Sequence, residues 1–447
     1  MAQRKKTFRL LPMHIIMLVP AAIIVLGMII KMFSLVIGDP EDRKPEETTS
    51  GSETTSSAAE TLPQVTATAT LGAQGDLLMH KPIFKSGSVV YQDDGKYDFT
   101  SIFEYMDGYT DVVDYMVANL ETTFGGDDYP YQGNPSFNCP DSLLTALSAA
   151  GYDMLLTANN HSNDTLTDGI NRTLTQTRSE GLDTLGTRLS AEEERYSIQE
   201  INGIKIGMVC YTYTAEMRSG KPSLNFNTPV EKPEQINYFS TADLDSFYQE
   251  AESVIAEMET AGAEATVFYI HWGEEYEITE NTTQNTIAQK LCDMGIDVII
   301  GGHPHVVQPM ELLTSTADAG HKTVCIYSLG NAVSNQRIAE MSLKTGHTED
   351  GVLFTVSFDK YSDGNVYVSG VDVLPTWVNL HSAAGGNEYN ILPLDETTRE
   401  EWKTLYDLTE AQYTSAKDSY DRTMAIVGEG LEEVQTWIAD AKTDRES

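Results

Sequence analysis

The sequence predicts an α/β fold with at least partly parallel strands, because strands and helices alternate along the chain. Three successive units share one plan, in which an amphipathic helix is followed by a glycine and then by a short apolar strand. A glycine directly after a helix is the usual signal that ends it. The predicted helices span 141–150, 243–260 and 283–294, the strands after them span 154–157, 265–270 and 297–300, and two earlier strands span 66–73 and 115–118.

Further apolar or alternating runs predict a second, more antiparallel sheet beside the first. They span 205–211, 323–328, 352–358 and 366–373, and the polar turn between the last two predicts a hairpin. From residue 395 to residue 447 the pattern predicts a helical tail that packs on the domain. The apolar face of this tail would consist of Trp402, Leu405, Tyr406 and Leu408.

The amino terminus has the pattern of a membrane anchor. Residues 1–9 form a basic flank, and residues 10–37 are almost wholly apolar. About 20 apolar residues span a bilayer as a helix, and a basic flank favours the cytoplasmic side. Residues 38–65 are rich in Ser, Thr, Glu and Pro, which predicts a disordered linker. We therefore expect a single-pass protein of the cell membrane, with a cytoplasmic amino terminus and an extracytoplasmic main domain.

Charge and cysteine content limit the classes of partner. The chain has 447 residues and a formal net charge of −38, which argues against nucleic acid as a partner. An anionic substrate would need a local positive centre, and bound metal ions supply one. The cysteines lack the spacing of a zinc knuckle, so buried small side chains are the favoured interpretation. These residues are Cys139, Cys210, Cys292 and Cys325.

Five short blocks place metal-type ligands at the ends of apolar runs that predict buried strands. Ligands of α/β sheets bind beyond the carboxyl ends of the strands, so we expect these blocks to converge on one pocket. A mixture of carboxylates, an amide oxygen and imidazoles suits a divalent metal such as Mn, Fe or Zn. The blocks are Gly75-Asp76, Asn119-Leu120-Glu121, Asn159-Asn160-His161, His271-Trp272-Gly273-Glu274 and Gly302-His303-Pro304-His305.

Each block also has a simpler interpretation that needs no metal. Asp76 could be a turn residue, Glu121 could be a solvated loop acid, and the asparagine pair could cap a helix that starts near Asp168. One His-x-His among nine histidines is a weak signal by itself. All five blocks together, at five strand ends, favour the metal pocket over separate turns.

The same blocks resemble those of the CapA family, the poly-γ-glutamate capsule biosynthesis proteins, which are a branch of the calcineurin-like metallophosphatases. The resemblance covers residues 66–394. It implies a metallophosphatase-like four-layer α/β/β/α sandwich, preceded here by one transmembrane helix, with a dinuclear metal site at one edge. Beyond the five blocks, the residues that carry it are Asp164, Glu275-Tyr276 and Tyr327-Ser328-Leu329-Gly330-Asn331.

The resemblance also implies a role for individual residues. His161 matches the catalytic histidine that protonates a leaving group or steadies an equatorial oxygen. Two divalent metal ions would acidify a bridging water and clamp a phosphoryl group. Asp76, Glu121 and His305 would hold one ion, and Glu121 would bridge to a second ion held by Asn160, His271 and His303. Further candidates for the site are His80, Asn119, Glu274 and Asn331.

The chain departs from the metallophosphatase pattern at two positions. Leu78 stands where the first block usually has a histidine, and Glu121 stands where the second block usually has an aspartate. His80 could replace the missing imidazole, although a surface loop role fits it equally well. Trp272 and Tyr276 could stack on a substrate, but aromatic residues beside a strand end more often belong to the core.

The leading functional hypothesis is a membrane-anchored, extracytoplasmic, metallophosphatase-like protein that acts in biosynthesis or export of an anionic capsule polymer. Its expected partners are the cell membrane, capsule-synthesis membrane proteins and an anionic polymer or phosphoester substrate. One rival is a metal-dependent phosphoester hydrolase of the cell envelope. The other rival is a non-enzymatic scaffold subunit of a capsule synthesis complex, which the missing imidazole at Leu78 favours.

Overall fold

The computed structural model describes residues 62–86, 89, 97–226, 228–383 and 386–447. The predicted cytoplasmic flank, the predicted transmembrane anchor and the predicted linker as far as residue 61 lie outside the described residues. Within the described part of the chain, no helix is both long and apolar enough to cross a membrane. Thr61–Ser447 forms one compact unit.

The described strands and helices follow one another in the alternation that the sequence predicts. The strands are β1 (Val65–Leu77), β2 (Tyr115–Asn119), β3 (Met154–Leu156), β4 (Asp183–Leu185), β5 (Tyr196–Ile201), β6 (Ile204–Tyr213), β7 (Glu216–Arg218), β8 (Lys221–Ser223), β9 (Tyr238–Phe239), β10 (Ala265–His271), β11 (Val298–Gly302), β12 (Val307–Thr314), β13 (Lys322–Leu329), β14 (Asn331–Val333), β15 (Asp350–Tyr361), β16 (Val366–Ala383) and β17 (Gly386–Pro393). The α-helices are Lys81–Phe84, Thr100–Phe103, Asp107–Thr110, Ser142–Ala149, Leu166–Ser179, Leu244–Thr260, Thr282–Asp293, Trp402–Leu405 and Glu410–Glu446.

The first sheet joins a parallel half to an antiparallel half. Its order is β17-β16-β15-β1-β2-β3-β4, and the short strand β14 also pairs with β1. Strands β1 to β4 run parallel, whereas β15 is antiparallel to both β1 and β16. Ser142–Ala149 and Leu166–Ser179 lie in the connections between the parallel strands β2, β3 and β4. Parallel neighbours need such crossovers, which explains the alternation of helix and strand in this half.

The second sheet is mainly parallel, which corrects one prediction. Its order is β12-β13-β11-β10-β6-β5, and β6, β10, β11 and β13 are parallel neighbours. The predicted runs 205–211 and 323–328 are β6 and β13 of this sheet, whereas the hairpin 352–358 and 366–373 forms β15 and β16 of the first sheet. The hairpin is confirmed, but a second, more antiparallel sheet is wrong. The pattern of one strand indicates which face it buries and does not identify its neighbours.

Side chains from both sheets meet in a single core, so the sheets pack face to face. Leu71 and Phe354 of the first sheet and Ile206 and Val267 of the second are fully buried there. Burying each such side chain contributes about 1.5–3 kcal/mol. Helices cover the outer faces, through residues such as Leu143 and Leu147 on one side and Val254 and Ile287 on the other. The predicted α/β class is confirmed, with helices outside two sheets.

The carboxyl-terminal segment is part of this core. The helix Glu410–Glu446 runs along β12 and β16, and Val427 and Val434 are buried in the core between the sheets. Trp402, Tyr406 and Leu408 are buried as predicted, but Leu405 is 41% exposed. That part of the prediction is wrong because the helix Trp402–Leu405 is only one turn long, so a helical face does not continue through Leu408.

All four cysteines lie in the described residues, and all are buried and free. Burial of the thiol groups raises the pKa of Cys210 to about 12 and the pKa of Cys139 well above its ordinary value. Buried thiols of this kind behave as small apolar side chains and are poor nucleophiles at neutral pH. The interpretation of the cysteines as structural residues is therefore the one that the fold supports.

Candidate metal centre

The strand ends of the two sheets bring the predicted ligands together. Asp76 is the penultimate residue of β1 and pairs in register with Asn119, the last residue of β2. His271 ends β10 and pairs in register with Gly302, the last residue of β11. Ligand atoms from both sheets form two buried clusters that share Glu121. This is the convergence at one edge that the strand-end pattern predicts.

The first cluster consists of Asp76, Glu121 and His305, whose ligand atoms all lie within 4.8 Å of one another. His305 Nδ1 is 3.0 Å from Asp76 Oδ2, and His305 Nε2 is 3.8 Å from Glu121 Oε1. Asn119 Nδ2 donates a hydrogen bond of 2.7 Å to Asp76 Oδ1. The predicted candidate Asn119 therefore orients a carboxylate through its amide group. We name this set the first cluster.

The second cluster consists of Glu121, His271 and His303, again with all ligand atoms within 4.8 Å. His271 Nε2 is 3.6 Å from Glu121 Oε1 and 2.8 Å from Asn160 Oδ1. Asn160 thus presents an amide oxygen beside the cluster, as the resemblance implies. Apart from Asn160, which lies beside the second cluster, the two clusters contain the residues of the two ligand sets expected from the sequence, while their binding of metal stays a prediction.

The segment that carries both histidines of the His-x-His block is held in an unusual backbone conformation. His303 has φ = +100° and His305 has φ = +58°, which non-glycine residues rarely adopt. Tyr276 N donates to Pro304 O at 2.8 Å, and Asn331 Nδ2 donates to His305 O at 3.2 Å. Strained backbone of this kind persists only where the surroundings fix it, and it is frequent at functional sites. The candidate Asn331 therefore supports His305 through the backbone.

Close approach of the two sheets at this edge requires a glycine before Asp76. Asp76 N donates to Gly330 O at 3.0 Å, and a Cβ added to Gly75 would lie 1.9 Å from that same oxygen. No side chain fits such a separation. The Gly75-Asp76 block therefore reflects packing of β1 on the β13–β14 junction as well as the need for a carboxylate.

Burial and neighbouring charges shift the titration of the ligands. Burial, and then the charge of Asp76, raise the pKa of Glu121 well above its ordinary value. Burial alone would raise the pKa of Asp76, but the hydrogen bond and charge of His305 outweigh it and lower that pKa. Burial lowers the pKa of His271 to about 3. Burial, and then the charge of His271, lower the pKa of His303 well below its ordinary range. Both imidazoles of the second cluster are therefore neutral at pH 7, as metal ligands must be.

Two buried polar atoms in the clusters are unsatisfied, which tests whether these residues fit metal ions. Glu121 Oε1 and His303 Nδ1 have no hydrogen-bond partner among the described residues, although Glu121 is fully buried and His303 is 3% exposed. Leaving such groups unpaired costs about 1–3 kcal/mol each, more for a charged carboxylate. Carboxylate and imidazole ligands together suit Mn, Fe or Zn. The residues present therefore fit one divalent ion in each cluster.

His161 lies beside the clusters without belonging to either. Its Nε2 is 4.0 Å from Glu121 Oε1, and its Nδ1 is 2.7 Å from Asp164 Oδ2. The Phe137 ring and the imidazole form a T-shaped contact with a centroid distance of 4.6 Å. Asp164 fixes the ring so that Nε2 faces the shared carboxylate. Sequence reasoning assigned Asp164 no role, although a carboxylate three residues after a histidine within one turn could have indicated this pair.

The simpler interpretations of three blocks are wrong. Asp76 lies inside a strand and Glu121 is fully buried, so neither is a solvated turn or loop acid. The asparagine pair does not cap the following helix, because that helix begins at Leu166 after Thr165. Asn159 Nδ2 instead donates to Asn119 Oδ1 at 3.1 Å.

Two of the further candidates lie outside both clusters. Glu274 is exposed, because Gly273 at φ = +90° turns the chain outward after β10. His80 Nδ1 lies 3.1 Å from Leu78 O and 3.2 Å from Asn335 N, and burial lowers the pKa of His80 to about 4. His80 is partly exposed and lies in the loop before the helix Lys81–Phe84, and it contributes no ligand atom to the first cluster.

The departure at Leu78 leaves the first cluster with fewer ligands. Leu78 lies two residues beyond Asp76 and is 1% exposed. Its side chain offers no ligand atom.

The core interpretation holds for Trp272, which is 1% exposed and whose Nε1 donates to Tyr327 O at 2.8 Å. Tyr276 instead lines a cavity beside the clusters.

Two curated proteins of known name are similar in sequence to this chain. The chain is 28% identical over 278 residues to the PGA biosynthesis protein CapA of Bacillus subtilis (strain 168), covering 61% of this chain and 65% of that protein. It is 25% identical over 294 residues to the capsule biosynthesis protein CapA of Bacillus anthracis, covering 63% of this chain and 64% of that protein. The chain therefore spans slightly less than two thirds of the length of these relatives.

The matching family covers the part of the chain that supplies the clusters. Residues 70–336 match the family described as bacterial capsule synthesis protein PGA_cap. This stretch includes both clusters and His161, and it ends before the hairpin β15–β16. It amounts to more than half of the 447 residues. The chain therefore belongs to the bacterial capsule synthesis protein family PGA_cap.

Proposed function

We propose that this protein is a metal-dependent, metallophosphatase-like phosphoester hydrolase that acts in biosynthesis or export of an anionic capsule polymer of the poly-γ-glutamate type. The observation that carries the proposal is the pair of buried clusters that share Glu121, with Glu121 Oε1 and His303 Nδ1 left unsatisfied. Membership of a capsule synthesis family supports the biological role. The names of the two Bacillus relatives support the same role.

The donor sets assign the residues that would hold the two ions. Asp76, Glu121 and His305 would hold the first ion, and Glu121, His271 and His303 would hold the second, with Asn160 beside it. When bound, such an ion pair lowers the pKa of a water and stabilises the charge on a phosphoryl group. The protein itself contributes a buried site from which bulk water is excluded, and there electrostatic interactions are stronger than in water.

His161 would move the proton that hydrolysis requires. Cleavage of the phosphorus–oxygen bond leaves an alkoxide, which must gain a proton to depart at neutral pH. His161 Nε2 lies 4.0 Å from Glu121 Oε1, and Asp164 Oδ2 at 2.7 Å from Nδ1 holds the ring in that orientation. Proton transfer by a positioned side chain of this kind contributes about 10²–10⁴ in rate.

The cellular setting is also part of the proposal. The apolar stretch 10–37 would anchor the protein in the cell membrane, with residues 1–9 in the cytoplasm and the domain outside. In that position the domain would meet capsule-synthesis membrane proteins and the growing polymer. The acidic surface, with a net charge of −38 for the chain, keeps a polyanion away except where bound metal reverses the local charge.

The experiment is phosphate release by the purified full-length chain from an aryl phosphate, after loading with Mn, Fe or Zn. We expect metal-dependent turnover that is lost in Asp76→Ala and in His303→Ala. A matched control is His381→Ala, because His381 lies on β16 and belongs to neither cluster. Turnover that is equal in His303→Ala and His381→Ala would contradict the proposal.

A non-enzymatic scaffold is the second candidate, and the buried Leu78 is the observation that favours it. A first cluster of three ligand residues binds its ion less firmly than a four-ligand site. The scaffold role predicts that Asp76→Ala and His303→Ala still support capsule assembly in cells. Loss of the polymer in both variants, with normal protein levels, would exclude that role.

A further inference from the structure

A cavity of about 630 Å³ opens directly beside the second cluster. Pockets of roughly 300–1,000 Å³ accommodate small-molecule ligands. His303 lines this cavity, is 3% exposed, and has an unsatisfied Nδ1 within the described part of the chain. The cavity walls also include Tyr213, Thr214, Trp272, Glu274, Glu275 and Tyr276.

Two tyrosines that line the cavity also contact a histidine of each cluster. The ring of Tyr213 lies 4.7 Å from the ring of His303, measured between centroids. The ring of Tyr276 lies 6.2 Å from the ring of His305. A molecule in the cavity would therefore sit within reach of both clusters. Any substrate that places a phosphoryl group between the clusters would extend its remaining part along these rings.

The charge of the walls is negative. Among the described lining residues the charged side chains are Glu274 and Glu275, and none is Lys or Arg. Glu275 directly precedes Tyr276 in the chain, and its carboxylate lines the same cavity as Tyr213 and Tyr276.

One feature of the cavity wall, the amino terminus of a helix, favours anions, but its effect is weaker than that of the two carboxylates. The helix Thr282–Asp293 begins at the cavity, and a helix amino terminus carries about half a positive charge. Its capping box is complete, because Gln284 N donates to Asn281 Oδ1 and Asn281 N donates to Gln284 Oε1. Two full carboxylate charges outweigh a partial charge whose donors are already partly used.

We propose that this cavity is a subsite for a cationic group. It binds the ammonium end of a substrate, of the choline or ethanolamine type, while the phosphoryl group of the same substrate lies at the two clusters. Carboxylates attract an ammonium group, and tyrosine faces bind it by cation–π interaction. The placement of the phosphoryl group rests on the proposed hydrolase function, whereas the ammonium subsite does not. The carboxylates of an anionic polymer would meet like charges here, so the polymer chain does not occupy this cavity.

The test is calorimetric titration of the full-length, metal-free chain with choline chloride, ethanolamine and sodium acetate at constant ionic strength. We expect saturable binding of choline, weaker binding of ethanolamine and no binding of acetate. The double variant Glu274→Gln/Glu275→Gln should bind choline about fivefold more weakly, which corresponds to a total loss of about 1 kcal/mol for the two exposed charges. Both residues are exposed, so folding is unaffected.

The matched control is Glu432→Gln/Glu433→Gln, which removes the same charge from exposed positions of the carboxyl-terminal helix. It should bind choline as the wild type does. Absence of choline binding to the wild-type chain, tighter binding of acetate, or equal weakening in both double variants would overturn the subsite.

A second measurement separates this proposal from the hydrolase function. The metal-loaded chain should cleave 4-nitrophenyl phosphorylcholine faster than bis(4-nitrophenyl) phosphate, and the Glu274→Gln/Glu275→Gln variant should lose this preference. If choline binds as expected but neither ester is cleaved, the hydrolase function fails and the subsite stands. If both esters are cleaved at equal rates by the wild type and the variant, the subsite fails and the hydrolase function stands.

Discussion

The two clusters differ in how completely the protein satisfies them. In the first cluster, Asp76 accepts from Asn119 and pairs with His305 at 3.0 Å. In the second cluster, His303 Nδ1 has no partner in the described part of the chain, and His271 contacts the amide oxygen of Asn160. The second cluster also has one more ligand group beside it than the first cluster has, because the side chain of Leu78 supplies no ligand atom to the first cluster. We infer that the second cluster binds its ion more tightly.

The largest expected effect comes from the residue that the clusters share. Glu121→Gln should remove the charged ligand from both clusters. We expect metal content to fall at both positions and hydrolysis to fall by more than about 100-fold, the upper end of the loss that follows removal of a residue that only orients a metal ligand. Elemental analysis and phosphate release measure these two quantities. Retention of one full equivalent of metal would show that the clusters do not depend on a common carboxylate.

The next largest effect should separate the clusters. His303→Ala removes a ligand of the second cluster and His305→Ala removes a ligand of the first. If the second cluster binds its ion more tightly, mild chelation of the wild type should remove the ion of the first cluster and leave the ion of the second. His303→Ala should lose that remaining ion, whereas His305→Ala should retain it. Metal content after stepwise dialysis against EDTA is the measurement. The reverse order would contradict the inferred ranking of the two clusters.

Restoring the missing imidazole should sharpen the comparison further. Leu78→His places a ligand two residues beyond Asp76, where the metallophosphatase pattern has one. We expect tighter binding at the first cluster and a metal-free form that is less stable by about 1–3 kcal/mol, because a polar ring is buried. Metal titration and urea unfolding with EDTA measure these effects. Leu78→Met, which adds no comparable ligand, is the matched control.

A smaller effect is the pH dependence of the metal-free chain. The pKa of His271 is about 3 in the folded protein, compared with 6.5 for an unperturbed histidine. Between these two pH values the unfolded chain binds a proton at His271 and the folded chain does not, so the free energy of unfolding decreases as the pH falls. The raised pKa of Glu121 has the opposite effect. Above pH 4.5, the ordinary pKa of a glutamate, the folded chain retains a proton on Glu121 that the unfolded chain loses, so the free energy of unfolding decreases as the pH rises.

Glu121→Gln should remove the second of these trends and leave the first. Urea unfolding in EDTA at about pH 5 and about pH 8 would show a smaller loss of stability at the higher pH in the variant than in the wild type. An equal loss in both proteins would mean that another group causes the trend.

The smallest expected effect concerns Glu274, which the sequence placed among the site candidates. Because it is exposed and outside both clusters, Glu274→Gln should leave metal content and thermal stability unchanged within about 0.5 kcal/mol. Elemental analysis and thermal unfolding test this. A loss of metal would return Glu274 to the set of ligands.

The strand-end pattern predicted the site because burial and register act locally. An apolar run that ends in a ligand specifies both a buried strand and the edge that it reaches, and this logic located Asp76, Glu121, His271 and His303. It failed for Glu274, which is exposed beyond Gly273, because the residue pattern did not indicate the positive φ of that glycine.

Other features depend on contacts that one segment does not reveal. The pairing of β15 with β1 is decided by strands that lie far apart along the chain. The orienting roles of Asp164 and Asn331 follow from side-chain geometry around His161 and around the backbone of His305. The sequence pattern therefore identified the candidate ligands, and the three-dimensional structure was needed to find the residues that orient them.

The most direct test of the central claim is anomalous diffraction from crystals of the full-length chain loaded with Mn or Zn. We predict a strong peak bounded by Glu121, His271 and His303, and a second, weaker peak bounded by Asp76, Glu121 and His305. Absence of any peak between these side chains at saturating metal, with the two clusters otherwise intact, would contradict the account.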